Sequence, residues 1–332
     1  MLDQRALPEA QIERDLESAE AVGDAIRHLE VRGAPLIGIA AAMGLVAGTR
    51  ELRGRAREPF LARLTQLSEM LGATRPTAVN LRWALDRMAR VATATPGDGS
   101  AIWERLHAEA TRIWEEDRAM CRRIGEHGLP LVPDGANVLT HCNAGALATG
   151  GIGTALAPIY LAHEQGRKVH VYVDETRPVL QGARLTAWEL MHAGVPCTLI
   201  PDSAVGTLMR QAKVDLVLVG VDRICANGDF ANKIGTYGLA VLARHHGVPF
   251  YAAGPWTSVD PALADGDLIP IEQRSADEVT TIAGRPIAPP GVAALNFAFD
   301  VTPARYVSAI VTERGVARAP YADALAALKR SG

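Results

Sequence analysis

The sequence lacks several things, and each lack narrows what the protein can do. No apolar run is long enough to cross a bilayer; the longest, Leu36–Ala47, is interrupted by glycines. No excess of positive charge exists: 34 Lys and Arg stand against 37 Asp and Glu, a net charge of −3. The electrostatic footprint of a nucleic-acid binder is therefore missing. The four cysteines, Cys121, Cys142, Cys197 and Cys225, form no CxxC pair and no spacing of metal ligands. This predicts reduced thiols in a cytoplasmic setting and no metal site. Neither a GxGxxG dinucleotide fingerprint nor a Walker motif occurs, and Ala148-Thr149-Gly150-Gly151-Ile152-Gly153 is not a proper substitute. Met1-Leu2-Asp3-Gln4-Arg5 leads into polar, helix-like sequence instead of a signal peptide. What remains is a globular chain of 332 residues, 48% hydrophobic and 21% charged, sized for one large or two ordinary domains.

The first part of the chain reads as helices. Ile12, Leu16, Ala19, Val22, Ile26 and Leu29 recur at helical spacing and predict a helix over residues 10–30. Val31-Arg32-Gly33-Ala34-Pro35 follows, with Pro35 suited to open the next helix and Gly33 to a close backbone approach. Arg32 thereby stands at a helix N-terminus, as an anion ligand or as a surface ion pair. The helix 36–49 is almost wholly apolar and is predicted to be buried. An amphipathic helix over 50–72 precedes Thr74-Arg75-Pro76-Thr77-Ala78-Val79-Asn80. There an arginine again precedes a proline and a helix, with Thr77 and Asn80 as nearby donors. Helices over 80–94 and 99–126 complete a mostly helical N-terminal domain, residues 1–127.

After Gly128 the pattern changes. Strands are predicted at 137–140, 169–174, 197–200, 216–222 and 249–253, alternating with helix-length segments at 154–166, 178–193, 203–213 and 232–246. Leu216-Val217-Leu218-Val219 is continuously apolar, the mark of a parallel strand covered on both faces. The fold class is α/β: a helical domain followed by an open, doubly wound parallel sheet over residues 128–332. Ligands of such sheets bind at the carboxyl ends of the strands. Cys142, Asp174-Glu175-Thr176-Arg177, Asp202 and Asp222 follow the first four strands there.

Val138–Leu156, VLTHCNAGALATGGIGTAL, joins a strand, a glycine-rich turn and a helix, an arrangement that can cradle an anion on backbone N–H groups. Cys142 stands beside it, either as a reactive thiol or as a small buried hydrophobe. Asp222 ends a buried strand. There it is either an acid with a desolvation-raised pKa or a structural partner of Arg223. Gln181, Asn232 and Lys233 suit hydroxyls and a phosphate, and each equally suits a capping or solvated role.

The segments VRGAPLIGIAAA, RPTAVNLRWAL, VLTHCNAGALATGGIGTAL, DETRPVLQGARLTAWEL, LVLVGVDRICANGDFANKIGT and FDVTP span residues 31–303. Together they resemble the methylthioribose-1-phosphate isomerase family of methionine salvage. That family is related to the regulatory subunits of the initiation factor 2B complex and to ribose-1,5-bisphosphate isomerases. The resemblance implies a Rossmann-like second domain, a cytoplasmic homodimer and an aldose–ketose isomerisation of 5-methylthioribose 1-phosphate without cofactor or metal. It implies Cys142 and Asp222 as the catalytic pair. Arg32, Gly33, Ala34, Arg75, Gln181, Asn232 and Lys233 are implied as the residues that hold the sugar phosphate. The family usually carries a β-rich lead-in before the LDQ segment, an alanine where Val221 stands, a proline where Phe297 stands and an alanine at Cys225. These departures leave 5-deoxyribose 1-phosphate or ribose 1,5-bisphosphate as alternative substrates. A regulatory subunit is the alternative from another class.

Overall fold

The computed structural model describes residues 1–76 and 78–331; Thr77, one of the donors considered above, lies outside them. By contact the chain divides into two compact units. The first is Met1–Cys121 with Ala146–Gly153; the second is Arg122–Gly145 with Thr154 onward.

The first unit is helical. It contains α1 (Ala19–Arg27), α2 (Ala34–Gly48), α3 (Arg57–Gly72), α4 (Val79–Ala94) and the part of α5 (Gly99–Gly128) up to Cys121. The helix expected over 10–30 is only α1. Ser18 stops it on the N-terminal side by taking the N-cap position, its Oγ accepting from Ala21 N at 3.1 Å. Upstream the chain is extended, with an antiparallel bridge from Leu2 to Glu13, and Ile12 is exposed. The apolar spacing of Ile12 and Leu16 was thus a coincidence of period, which the cap overrides. α2 is buried as its composition demands, packed against α1, α3 and α4. Pro35 sits in its first turn. Pro76 does not open α4, which begins only at Val79 with Ala78 as N-cap. Leu45, Leu67, Leu71, Leu85, Met88 and Ile102 form the centre of this core. Burying each such side chain contributes roughly 1.5–3 kcal/mol.

The second unit holds a seven-stranded sheet. Its strands are β1 (Asn137–Thr140), β2 (His170–Asp174), β3 (Cys197–Ile200), β4 (Leu216–Val219), β7 (Phe250–Ala253), β12 (Ala309–Thr312) and β13 (Gly315–Ala317). A four-stranded sheet is made of β5 (Arg223–Cys225), β6 (Phe230–Lys233), β8 (Val259–Asp260) and β11 (Phe299–Thr302), and β9 (Thr281–Ile282) pairs with β10 (Arg285–Pro286). The large sheet runs β13-β12-β7-β4-β1-β2-β3. Every neighbouring pair in it is parallel except β12 with β13. Its helices are α6 (Ala157–Glu164), α7 (Ala187–His192), α8 (Val205–Arg210), α9 (Thr236–His246) and α11 (Tyr321–Ser331), with a short α10 (Asp277–Thr280) apart from it. Val205, Met209, Leu239, Ala243 and Leu325 of these helices pack on Val217, Val219, Phe250 and Ile310 of the sheet.

Some expected elements differ. The helix-length segment 232–246 is α9 only from Thr236, because Asn232 and Lys233 belong to β6. The strand expected over 216–222 ends at Val219, because Asp222 and the residues after it turn to start the second sheet. Residues 178–193 form a π-helical turn, Gly182–Thr186, before α7 instead of one helix. Such turns are rare and cluster at functional sites. No helix among the described residues is long and apolar enough to cross a membrane.

Candidate active site

Six strands are parallel in the order β12-β7-β4-β1-β2-β3, so from β1 the chain adds β2 and β3 on one side and β4, β7 and β12 on the other, and the order reverses between β1 and β4. The crevice outside the carboxyl ends of these two neighbours is where doubly wound sheets bind their ligands. Cys142 lies two residues beyond β1 and Asp222 three residues beyond β4. The two candidate catalytic residues therefore flank the switch point.

Cys142 is half-buried and has φ +63°, a left-handed conformation that costs a non-glycine residue roughly 1–2 kcal/mol. Hydrogen bonds hold it there. Its N–H donates to Thr176 Oγ1 at 2.9 Å, and its carbonyl accepts from Thr186 Oγ1 at 2.6 Å, in the π-helical turn. Thr176 Oγ1 donates in turn to Asp174 Oδ1 at 2.9 Å. Asp202, after β3, accepts from the backbone N–H of Thr176 and of Arg177, each at 2.7 Å. The polar residues expected after β1, β2 and β3 thus form one network around the Cys142 peptide.

Asp222 is half-buried, and its N–H donates to Ala231 O at 2.9 Å, linking it to β6. Asn232 follows on β6, buried, with Nδ2 donating to Thr236 Oγ1 at 3.0 Å. Gly220 shows how close these segments lie: a Cβ there would stand 2.7 Å from Ala144 Cβ and 3.9 Å from Asn232 Oδ1. The Cys142, Asp222 and Asn232 segments therefore converge. Lys233 Nζ donates to Ala298 O at 2.8 Å and lies 4.9 Å from the Phe299 ring centroid. Gln181 is buried, and its Oε1 has no hydrogen-bond partner among the described residues. A buried acceptor left bare in this way fits a ligand hydroxyl.

Arg32, Gly33, Ala34 and Arg75 belong to the first unit. Arg32 precedes α2, whose N-cap is Gly33 with φ +100°. A Cβ on Gly33 would stand 2.4 Å from Ala148 O, so only glycine lets this segment lie against the 146–153 loop. Arg75 is half-buried ahead of α4, and the buried Asn80 Nδ2 has no partner among the described residues.

The 146–153 loop is not the open anion cradle that its glycines predicted. Gly150 N donates to Asp117 Oδ2 at 2.6 Å, and Gly151 N and Gly153 N donate to Thr149 Oγ1 at 3.2 and 3.1 Å. These N–H groups are already used, and a carboxylate sits at one of them. The helix that should have completed the cradle begins only at Ala157.

Burial disfavours the thiolate form of the other three cysteines. Burial pushes the Cys121 thiol up to about 12, helped by Asp117. Burial likewise pushes Cys225 up to about 12, with Asp229, Asp265 and Asp260 adding to it. Cys197 is raised by burial alone.

A family description, the initiation factor 2 subunit family, matches residues 30–319. The chain belongs to that family. Within the initiation factor 2 subunit family, it is 53% identical over 329 residues to a protein of Geobacter metallireducens named methylthioribose-1-phosphate isomerase. The match covers 99% of this chain and 95% of that one. A crystal structure of 5-methylthioribose 1-phosphate isomerase from Pyrococcus horikoshii superposes with a TM-score of 0.94 at 45% identity, covering 100% of this chain and 93% of the other. A crystal structure described as the delta subunit of translation initiation factor eIF-2B from A. fulgidus gives 0.90 at 40% identity, covering 99% and 96%.

His141, Asp174, Thr176 and Thr186 were not singled out as site residues by sequence reasoning. The one signal was position: His141 stands between a strand end and the cysteine, and Asp174 and Thr176 lie in the polar run after β2.

Proposed function

We propose that this member of the initiation factor 2 subunit family is a methylthioribose-1-phosphate isomerase, converting 5-methylthioribose 1-phosphate to 5-methylthioribulose 1-phosphate. The observation that carries the reading is the 53% identity with a protein of that name over nearly the whole of both chains. The position of Cys142 and Asp222 at the switch point supports it.

The chemistry explains why two groups are wanted. Phosphate on C1 locks the anomeric carbon, so no aldehyde is available and the ring must be opened. Asp222 gives a proton to the ring oxygen as the C1–O bond breaks. Cys142 serves the C1/C2 side, taking the C2 proton and returning it to C1 while the C2 hydroxyl proton goes back to the Asp222 carboxylate. The sum is an isomerisation with no atom gained or lost. General acid–base help is worth roughly 10²–10⁴-fold for each group. Arg32 and Arg75 bind phosphate as guanidinium forks, with Gly33 and Ala34 offering backbone, and Lys233 adds charge. Gln181 and Asn232 hold sugar hydroxyls. We infer a homodimer working in the cytoplasm, a setting that suits four cysteines with no disulfide between them. Light scattering on the purified protein tests the dimer.

The deciding assay follows ketose formation by NMR with 5-methylthioribose 1-phosphate, 5-deoxyribose 1-phosphate and ribose 1,5-bisphosphate in parallel. The highest kcat/KM is expected with the first. Deuterium at C2 that washes into solvent supports proton transfer by Cys142; full retention at C1 supports a direct hydride shift. The 40% identity to the chain described as an initiation factor subunit favours a regulatory role as the second reading. Folded protein that turns over none of the three sugars would move that reading to the front.

A further inference from the structure

His141 is buried, and both of its ring nitrogens face acceptors. Nδ1 lies 2.7 Å from Asp174 Oδ2, and Nε2 lies 2.8 Å from the Ile234 carbonyl oxygen. A carbonyl oxygen cannot donate, so Nε2 carries a hydrogen. A neutral ring would then turn a bare lone pair on Nδ1 toward the Asp174 carboxylate. That is a repulsion at 2.7 Å, so the pair must hold a proton between them. Asp174 Oδ1 already accepts from the Thr176 hydroxyl, whose own oxygen is occupied by the Cys142 N–H. Asp174 is thus hydrogen-bonded as an ionised acceptor on both oxygens.

We propose that His141 is an imidazolium at neutral pH, a positioning residue that locks the Cys142 peptide in its left-handed conformation by way of Asp174 and Thr176.

The proposal assigns a role to a side chain that touches no substrate, and it rests on the isomerase reading of Cys142. The ring ties three strand ends together: its own, just past β1; Asp174 at the end of β2; and Ile234, just past β6. Only a ring with two donors can bridge a carboxylate and a carbonyl at once. The charged groups facing it are Asp174, Asp202 and Asp300, with Lys233 beyond Asp300. Burial alone would push the imidazole down; the charge and hydrogen bond of Asp174, the Ile234 carbonyl and Asp202 together hold it above its ordinary value. His141, Asp174 and Asp202 also offer ligand atoms within 4.8 Å of one another, the geometry of a metal site. The hydrogen bonding argues against that use, since an imidazolium with two N–H groups has no lone pair for an ion.

The test begins on the wild-type protein, labelled with ¹⁵N-histidine. Ring-nitrogen spectra are expected to show His141 protonated at both nitrogens at pH 7. The signal is assigned by its loss in His141→Gln, or by its shift in Asp174→Asn where the first variant does not fold. A neutral ring at pH 7, or one stoichiometric metal ion with a ligated nitrogen, overturns the proposal whether or not the protein is an isomerase. Kinetics give the second readout. Folded His141→Gln is expected to lose on the order of 10²-fold in kcat with KM nearly unchanged, as misplacement of a reacting group does. Asp174→Asn is expected to lose kcat as pH rises through the histidine range, where the wild type does not, because its ring is no longer held charged. A pH-independent loss in Asp174→Asn would mark a merely structural role. Normal kcat in a folded His141→Gln would overturn the proposal.

Discussion

The Cys142 N–H donates to Thr176 Oγ1 at 2.9 Å, although the two residues are 34 apart in the chain and both have φ near +60°. Each left-handed residue holds the other. The strained backbone at Cys142 is therefore supported by hydrogen bonds within the protein, and this leads to distinct expectations for stability and for activity.

Cys142→Ala and Asp222→Asn are each expected to abolish turnover with the fold intact. Cys142→Gly is expected to be equally inactive but more stable than Cys142→Ala by about 1 kcal/mol, because glycine accepts φ +63° without a Cβ penalty. Urea midpoints of the two variants check the order. Near-normal turnover by any of them removes that residue from the mechanism.

Gly33→Ala is expected to destabilise the protein by about 1–3 kcal/mol and to raise KM. Its Cβ would meet Ala148 Cα at 2.5 Å and would have to adopt φ +100°. Calorimetry and steady-state kinetics on the one variant read both effects. A KM change without a stability change would mean that the loop simply moves aside.

Gln181→Met separates binding from folding. Removing a buried acceptor that has no partner among the described residues is expected to leave stability unchanged or to raise it by up to about 1 kcal/mol. Losing one hydroxyl contact is expected to raise KM about tenfold, equivalent to about 1.4 kcal/mol. A destabilised variant would show that Oε1 is satisfied in solution, by water for instance.

Stability is expected to fall on the alkaline side. The folded-state pKa of His141 lies above its unfolded value of about 6.5, so its contribution is fully present below about pH 6.5 and is lost as pH rises through the folded value. Burial also pushes the Asp300 carboxyl up, against the N–H groups of Gly235 and Tyr237 that favour its charged form. Its effect has the same sign at lower pH: stability is lost as pH rises through the raised carboxyl value. Urea midpoints across pH 4–10 for wild type and Asp174→Asn check this. The alkaline decline should be smaller or absent in the variant, where the Asp174 charge that raises the imidazole is gone and burial alone pushes it down.

The parallel sheet was readable in the sequence because its signals are local. Strands of four to five residues such as Asn137-Val138-Leu139-Thr140 and Leu216-Val217-Leu218-Val219 are largely apolar runs bounded by polar turns. An alternation of strand and helix leaves few topologies. Cys142 and Asp222 could be placed at strand ends for the same reason. The strand β12, the edge strand β13 and the small sheet β11-β6-β5-β8 were not readable: several of these strands have only two to four residues, too few to show a period.

By itself, then, the sequence determined the layers, which polar residues follow the first four parallel strands, and the family. Tertiary structure alone decided how those ends are held. His141 meets Asp174 across 33 residues and Ile234 across 93, and Asp117 takes the Gly150 N–H across 33. A hydrogen bond depends on where two atoms finish in space, and no local spacing encodes a partner that distant. The same holds for the 146–153 loop: its glycines advertise an anion site, while the folded chain has already spent those N–H groups on Asp117 and Thr149.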